Sequence, residues 1–109
     1  MVVKHIVLFQ FKADVAVETQ EEATSRMLGL KEGCLNASQK PYIKSLVGGR
    51  DNSIEGASNG ITHAFIVEFE SIEDRNYYVN SDKHHGEFKS FIVPFLEKFT
   101  IVDFSEGVF

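Results

Sequence analysis

The sequence predicts an α+β domain in which strands and helical regions follow one another in the order β-α-β-β-α-β. Three observations support this fold class. Several stretches are rich in β-branched and aromatic residues with strand-like alternation. The segments between them repeat apolar residues at helical spacing. The chain has 109 residues and a hydrophobic content of 43%, which suits one core, so we expect one domain over residues 1–109.

The first strand is predicted over residues 2–12 and carries apolar side chains on both faces. One face alternates as Val3, His5, Val7, Phe9 and Phe11. Ile6 and Leu8 make the middle of the opposite face apolar as well. A strand of this kind is covered on both sides. Helices can cover one side, so the other side requires a further layer.

A helix is predicted over residues 18–35 and a second strand over residues 42–49, after a turn at Pro41. The polar, glycine-bearing segment 51–60 is expected to be a loop. One apolar stripe predicts the helix, and it consists of Ala23, Met27, Leu30 and Cys34. Cys34 lies near the end of this helix, where we expect it to be a small buried hydrophobe rather than a nucleophile.

The third strand, over residues 61–70, has the cleanest alternation in the chain. One of its faces carries His63, Phe65, Val67 and Phe69. The residues 71–74, Ser-Ile-Glu-Asp, then form a capping box, which predicts that a short helix begins there. This helix is expected to continue through Tyr77 and Tyr78.

The second helical region is predicted to be interrupted at residues 80–82, Asn-Ser-Asp. A further helix is expected over residues 83–99, kinked at Pro94. Its predicted apolar stripe, which we expect to lie in the core, consists of Phe88, Phe91, Ile92, Phe95 and Phe99. A last strand over residues 100–105 closes the chain.

This order of elements is that of the ferredoxin-like folds, in which four antiparallel strands carry two helical layers on one face of the sheet. The other sheet face is left bare. A second copy of the same sheet is the simplest way to cover it. The predicted architecture is therefore a dimeric α/β barrel, and the predicted partner is the chain itself.

Charge and composition argue against several kinds of partner. The net charge is −5 and basic residues form no stripe, so we expect no nucleic acid and no membrane surface as partners. No apolar stretch has the length of a membrane span or the form of a secretory signal. The single cysteine allows no internal disulfide, which favours a reducing compartment and a cytoplasmic location.

Three blocks of sequence, spread over most of the chain, resemble the stress-responsive dimeric α/β-barrel (Dabb) family. This family includes plant stress proteins and a polyketide cyclase. The blocks are Val3-Lys4-His5 with Phe11-Lys12, Gly60-Ile61-Thr62-His63 running into Phe69-Glu70-Ser71, and Glu97-Lys98 through Ile101-Val102-Asp103-Phe104. The resemblance implies a homodimer with an apolar pocket between sheet and helices that binds a small ketone-bearing metabolite.

In the cyclase members of the family, a tyrosine and three histidines line the cavity, and this chain has such residues at matching places. The matching residues are Tyr78, His84, His5 and His63. The family usually has His-Pro-x-His before the long helix, whereas this chain has Ser-Asp-Lys-His at 81–84. Counting from Phe69 selects His84, whereas counting back from Phe88 selects His85. Both alternatives remain open at this point.

The resemblance implies an alternative function, that of a polyketide cyclase-like enzyme that needs no cofactor. His84 or His85 would act as the base that removes a proton next to a carbonyl, since imidazole titrates near neutral pH. Tyr78 would donate a hydrogen bond to the carbonyl oxygen. His5 would assist, and His63, Phe9 and Phe65 would contact the ligand.

Two alternatives accompany this hypothesis, a dimer without catalytic activity and a metal site. The protein could be a stress-associated dimer without chemistry, for which a sealed barrel is expected. His5 and His63 would then be core histidines with hydrogen-bonded rings. A metal site built from the four histidines is disfavoured, because no His-x3-His or Cys spacing supports it, so no metal is expected.

Overall fold

The fold is the α+β, ferredoxin-like plan that the sequence predicts, in the order β-α-β-β-α-β. The computed structural model describes residues 1–109. Its elements are β1 (Val3–Phe11), α1 (Val17–Gly33), β2 (Ile43–Arg50), β3 (His63–Phe69), α2 (Ile72–Asn80), α3 (Lys83–Ile92) and β4 (Leu96–Phe104). The four strands form one antiparallel sheet in the order β2-β3-β1-β4.

Side-chain caps begin α2 and α3 at the places that the sequence indicates. The hydroxyl of Ser71 accepts a hydrogen bond from the backbone N–H of Asp74 at 3.1 Å, which starts α2. The carboxylate of Asp82 accepts from the backbone N–H of His85 at 3.0 Å, which starts α3. The predicted interruption between the two helices is therefore confirmed, and Asp82 is the N-cap residue of α3.

The predicted end of the last helix was wrong. The helix stops at Ile92, a 3-10 turn spans Val93–Phe95, and β4 begins at Leu96. Pro94 has no backbone N–H and crowds the preceding turn, so it ends the helix instead of kinking it. Phe99 consequently lies in β4, opposite Phe9 of β1, and is not part of a helical stripe.

The register of the sheet decides which side chains face the helices. His5 of β1 lies opposite Val67 of β3 and Asp103 of β4. Phe9 lies opposite His63 and Phe99 in the same way. Directly opposed residues share a face of the sheet. The helix-covered face therefore carries these residues, whereas the other face carries the side chains between them.

The core lies under α1, between this helix and the β2–β3 half of the sheet. Its fully buried members include Ala23, Met27, Leu30, Cys34, Val67 and Phe69. Cys34 is buried, as predicted, and burial together with the neighbouring Asp82 carboxylate raises the pKa of its thiol to about 12. A thiol of this kind stays protonated at physiological pH.

The sheet face away from the helices is apolar at its centre. Ile6 lies opposite Ile66 on β3 and Val102 on β4, and the side chains of Ile66 and Val102 are 37% and 54% exposed. Val47 of β2 and Phe104 of β4 extend the same exposed surface. This surface is called the outer sheet face below. No helix of the chain is both long and apolar enough to cross a bilayer.

Candidate active site

A pocket of about 450 Å³ lies between the α2–α3 layer and the β1–β4 half of the sheet. This volume is within the usual range for small-molecule sites. Of its 18 lining residues 11 are hydrophobic, so the pocket suits a ligand with a mainly apolar body. Its titratable lining residues are His5, Arg75, Tyr78, His85, Lys89 and Asp103.

Tyr78 and His85 meet in this pocket because α2 and α3 are joined by a short break. The two rings stack with their centroids 3.7 Å apart and their planes 15° from parallel. Nδ1 of His85 lies 2.8 Å from the backbone carbonyl oxygen of Tyr78. A carbonyl oxygen only accepts, so Nδ1–H is the donor. In the neutral ring, Nε2 therefore carries the lone pair.

Burial sets the protonation states of this ring pair. Burial lowers the pKa of His85 to about 4, with a smaller contribution from the positive charge of Lys89. The hydrogen bond that Nδ1–H of His85 donates to the Tyr78 carbonyl opposes this shift. His85 is therefore neutral near pH 7. Burial also raises the pKa of Tyr78, so its hydroxyl stays protonated and can donate. The pair offers a nitrogen base beside a hydrogen-bond donor.

His5 enters the same pocket from β1 and is held by a chain of hydrogen bonds. Nδ1 of His5 lies 2.7 Å from Oδ1 of Asp103, and Oδ2 of Asp103 accepts from Nη1 of Arg75 at 2.8 Å. The His5 ring stands edge-on to Tyr78 with the centroids 5.7 Å apart. Because Asp103 occupies Nδ1, Nε2 of His5 is the nitrogen available to a ligand.

The sequence analysis gave no role to Asp103 or Arg75. The alternation of β4 contains a signal for Asp103. Ile101 and Asp103 lie on the same face of the strand, so Asp103 places a carboxylate on an otherwise apolar face, directly opposite His5. A carboxylate on such a face needs a partner. Arg75 lies on α2, and its contact with Asp103 depends on how the helix packs over the sheet, which no local pattern encodes.

Asp82 is a further residue that the sequence analysis treated only as part of a helix break. Its side chain is buried, and Oδ2 accepts a hydrogen bond of 2.6 Å from the hydroxyl of Tyr42. Oδ1 accepts from the backbone N–H of His85. This carboxylate thus ties the start of α3 to the residue before β2 and fixes the position of His85.

The two neighbouring histidines of α3 point in different directions. His85 is buried and lines the pocket, whereas His84 is exposed. The His84 ring lies against Gly33 of α1, where a Cβ atom would overlap with it. It lines a separate cleft with Arg26 and Glu87. Of the two histidines between which the sequence did not decide, His85 is therefore the one that lies beside Tyr78.

The three predicted ligand contacts lie at different places. Phe9 lines the pocket, but His63 and Phe65 do not. His63 is buried at the start of β3, stacked on Phe9 of β1 and hydrogen-bonded through Nδ1 to the hydroxyl of Thr62 at 2.8 Å. Burial lowers its pKa, aided by the nearby charge of Arg50. Phe65 belongs to the core under α1.

No group of three histidine, cysteine or acidic side chains lies close enough to hold a metal ion. The chemistry that this arrangement can perform without one is proton transfer. It combines a neutral imidazole, a protonated phenol and a second imidazole in an apolar pocket.

Comparison with known proteins places the chain in a family. The model of the Stress responsive A/B Barrel Domain (Dabb) matches residues 3–106. The chain belongs to this family. The protein is 32% identical over 102 residues to the stress-response A/B barrel domain-containing protein HS1 of Arabidopsis thaliana, covering 94% of this chain and 87% of that protein. It is 29% identical over 105 residues to olivetolic acid cyclase of Cannabis sativa, covering 96% and 97%.

Solved structures agree with this assignment. The crystal structure of an Arabidopsis thaliana protein superposes with a TM-score of 0.82 at 30% identity, covering 98% of this chain and 97% of that one. The hydroxynitrile lyase of Passiflora edulis gives 0.83 at 22% identity, covering 99% and 96%, a likeness that concerns the fold alone. A protein of Thermobifida fusca, described as dimeric and ferredoxin-like, gives 0.75 at 19% identity, covering 96% and 91%.

Proposed function

We propose that this Dabb protein binds a small ketone-bearing metabolite in the pocket and catalyses proton abstraction next to its carbonyl, without a cofactor. The observation that carries the proposal is the convergence of His5, Tyr78 and His85 on one apolar pocket. The proposal favours an active pocket over a stress-associated dimer without chemistry, for which a sealed barrel was expected.

In the proposed reaction, Nε2 of His85 removes a proton from the carbon next to the carbonyl. The electron pair of that C–H bond becomes the C=C bond of an enolate, and negative charge develops on the carbonyl oxygen. The hydroxyl of Tyr78 donates a hydrogen bond to this oxygen, where a well-placed donor stabilises the transition state by about 3 kcal/mol. In a substrate with a second carbonyl, the enolate carbon attacks that carbonyl and closes a ring while the C=O π electron pair moves to its oxygen. This alkoxide oxygen then takes the proton from Nε2 of His85, which returns the imidazole to its neutral form.

His5 assists this step through its fixed orientation. The hydrogen bond that its Nδ1–H donates to Asp103 leaves Nε2 as the ring nitrogen that can hydrogen-bond to a second hydroxyl or enol group of the substrate. Arg75 holds Asp103 from the other side, so the ring does not need to reorient when the ligand binds. Such preorganisation lowers the cost of ordering the site.

The relatives add support of a limited kind. Olivetolic acid cyclase, whose name states a ring-closing activity, is 29% identical to this chain over nearly all of both proteins. Ring closure by an enolate requires a base and an oxyanion donor, which are the roles proposed for His85 and Tyr78. The proposed substrate class is a small apolar ketone or polyketide.

Exchange of carbon-bound hydrogen for deuterium tests the base without knowledge of the natural substrate. We expect the protein to accelerate exchange at the carbons next to the carbonyl of 2-heptanone in D2O, followed by NMR. The variant His85→Gln should lose most of this acceleration, roughly 100-fold or more. Tyr78→Phe should lose a comparable part. The matched control His84→Gln removes the neighbouring imidazole outside the pocket and should exchange like the wild type.

Other results would change the proposal in defined ways. Equal loss in His84→Gln and His85→Gln would contradict the role of His85. Binding of 2-heptanone at the pocket, seen as shifts of the Tyr78 and His85 resonances, without accelerated exchange would overturn the catalytic half of the proposal. The protein would then be a ketone-binding barrel.

The proposal includes a homodimer that forms through the outer sheet face. This face exposes Ile66 and Val102, and an apolar surface of this kind favours association. The dimeric state of similar ferredoxin-like proteins supports it. In sedimentation experiments, Ile66→Lys should shift the mass towards the monomer. The matched control Leu28→Lys, on the exposed side of α1, should leave the mass unchanged, and an equal shift in both variants would argue against this face.

A further inference from the structure

We infer that the ligand of this pocket carries a carboxylate, which Arg75 and Lys89 hold at the pocket rim. The inference rests on the proposed function, because it concerns the same pocket, and it narrows the ligand to a ketone-bearing organic acid with an apolar body. Neither residue was singled out by the sequence analysis, and neither takes part in the proton transfer proposed above.

The charges in the pocket are not balanced. Arg75 and Lys89 are the two cations of the lining, and Asp103 is the one carboxylate. Asp103 is already engaged on both oxygens, by His5 and by Arg75. Apart from the histidines, the pocket lining therefore holds one excess positive charge, although the whole chain has a net charge of −5. A concave site of this sign attracts anions, because field lines concentrate in it.

Arg75 is held in place and still has donors to spare. Its Nε–H donates to Oδ1 of Asn76 at 2.9 Å, and Nη1 donates to Asp103. The Nη2 group makes no hydrogen bond to the protein, and the side chain is only 25% exposed. A planar guanidinium fixed at two nitrogens presents its remaining edge in one orientation, which is the geometry that carboxylates match.

Lys89 supplies the second cation from α3. Its Nζ lies 3.5 Å from the carbonyl oxygen of Val79 on α2, so the side chain lies across the gap between the two helices. No carboxylate pairs with it, unlike Arg26, which pairs with Glu22, and Lys44, which pairs with Glu70. An ammonium with one long hydrogen bond can gain a carboxylate partner without losing an existing ion pair.

The two cations and the apolar lining together define the orientation of the ligand. The apolar body lies against Val7, Phe9 and Ile92, the ketone lies beside Tyr78 and His85, and the carboxylate lies between α2 and α3. Anchoring one end of the substrate in this way holds the reacting carbon near the base.

A matched pair of ligands tests the inference. Octanoate and octanamide have the same apolar chain and nearly the same shape, and they differ in charge. Calorimetric titration of the wild type should give an affinity for octanoate at least about tenfold higher than for octanamide, since a charge-assisted hydrogen bond contributes more than a neutral one. Added salt should reduce this difference.

Two variants localise the effect. Lys89→Met should weaken octanoate binding by about fivefold or more and leave octanamide binding unchanged. The matched control Lys83→Met removes the same charge from the same helix outside the pocket and should change neither affinity. Arg75→Met should weaken octanoate binding as well, and Arg75→Lys should restore only part of it, because an ammonium lacks the planar fork.

The inference is overturned if octanamide binds as tightly as octanoate, if Lys83→Met acts like Lys89→Met, or if neither ligand binds. These failures are distinguishable from failure of the proposed function. The hydrogen exchange experiment uses a neutral ketone and tests His85, so accelerated exchange with no preference for octanoate would retain the base and remove the carboxylate site.

Discussion

The two halves of the helix-covered sheet face both carry large apolar side chains but place them in different environments. Under α1, in the β2–β3 half, Phe65 is 2% exposed. In the β1–β4 half, Phe99 has the same side chain on the same face and is 53% exposed. The difference lies in the covering layer, since α1 packs closely on one half whereas α2 and α3 leave the pocket above the other. The same alternation thus builds a core in one place and lines a pocket in the other.

Replacing one phenylalanine in each half tests this comparison with the largest expected effect. Phe65→Ala should reduce the free energy of unfolding by about 3–5 kcal/mol, because it opens a cavity in a closely packed core. Phe99→Ala should cost less than about 1 kcal/mol, since solvent already reaches the ring. Urea unfolding followed by circular dichroism, at one protein concentration, measures both values.

Equal losses of unfolding free energy in Phe65→Ala and Phe99→Ala would contradict the difference in packing between the two halves of the sheet. A large loss for Phe99→Ala that shrinks on dilution would mean that a partner chain covers this ring. A small loss for Phe65→Ala would mean that the β2–β3 half is more loosely packed than the buried fraction of its side chains indicates.

Two neighbouring glycines of β2 test the close packing of the covered half more finely. A Cβ at Gly48 would overlap with the ring of Phe65, whereas a Cβ at Gly49 would meet no atom within 4 Å. Gly48→Ala should therefore cost about 1–3 kcal/mol through overpacking. Gly49→Ala, the matched control, should be neutral or slightly stabilising because it reduces the freedom of the unfolded chain. Thermal unfolding compares the two, and equal melting temperatures would argue against a rigid Phe65.

Most of the fold was predictable from local patterns. Alternation identified β1 and β3, the stripe through Met27 identified α1, and the capping box at Ser71 placed the start of α2. The end of α3 was not predictable in the same way, because Phe95 and Phe99 continue a helical spacing beyond Pro94. Pro94 ends the helix, and pairing of β4 with β1 decides that the chain continues as a strand from Leu96. Such pairing is a long-range interaction that no local pattern shows.

The candidate site was only partly predictable. The resemblance to the family indicated Tyr78 and left His84 and His85 as alternatives, because a one-residue change in the break rotates the helix by about 100° and exchanges the buried position. Asp103 and Arg75 were missed because they meet each other only after helix and sheet have packed. Local patterns give the residues of each element, whereas contacts between elements need the folded chain.

The pH dependence of stability provides the finest test, because it measures how much unfolding free energy is lost on acidification because His85 is buried in the pocket as a neutral ring. The pKa of His85 is about 4 in the folded protein and 6.5 for the unperturbed side chain. As the pH falls below 6.5, the His85 ring becomes protonated in the unfolded state but stays neutral in the native state until about pH 4. The contribution of His85 to the stability of the native state relative to the unfolded state is therefore fully retained above pH 6.5 and is lost progressively between these two values.

We expect the wild type to lose about 2 kcal/mol more unfolding free energy between pH 6.5 and pH 4 than the variant His85→Gln, which cannot titrate at this position. All other titratable groups are common to both proteins, so the difference isolates His85. The matched control His84→Gln retains His85 and should show the same loss as the wild type. If His85→Gln lost as much stability on acidification as the wild type, the ring would already be hydrated and protonated in the native state. Water would then reach the pocket over the β1–β4 half of the sheet more freely than its apolar lining indicates. Burial would no longer explain a neutral His85 at physiological pH.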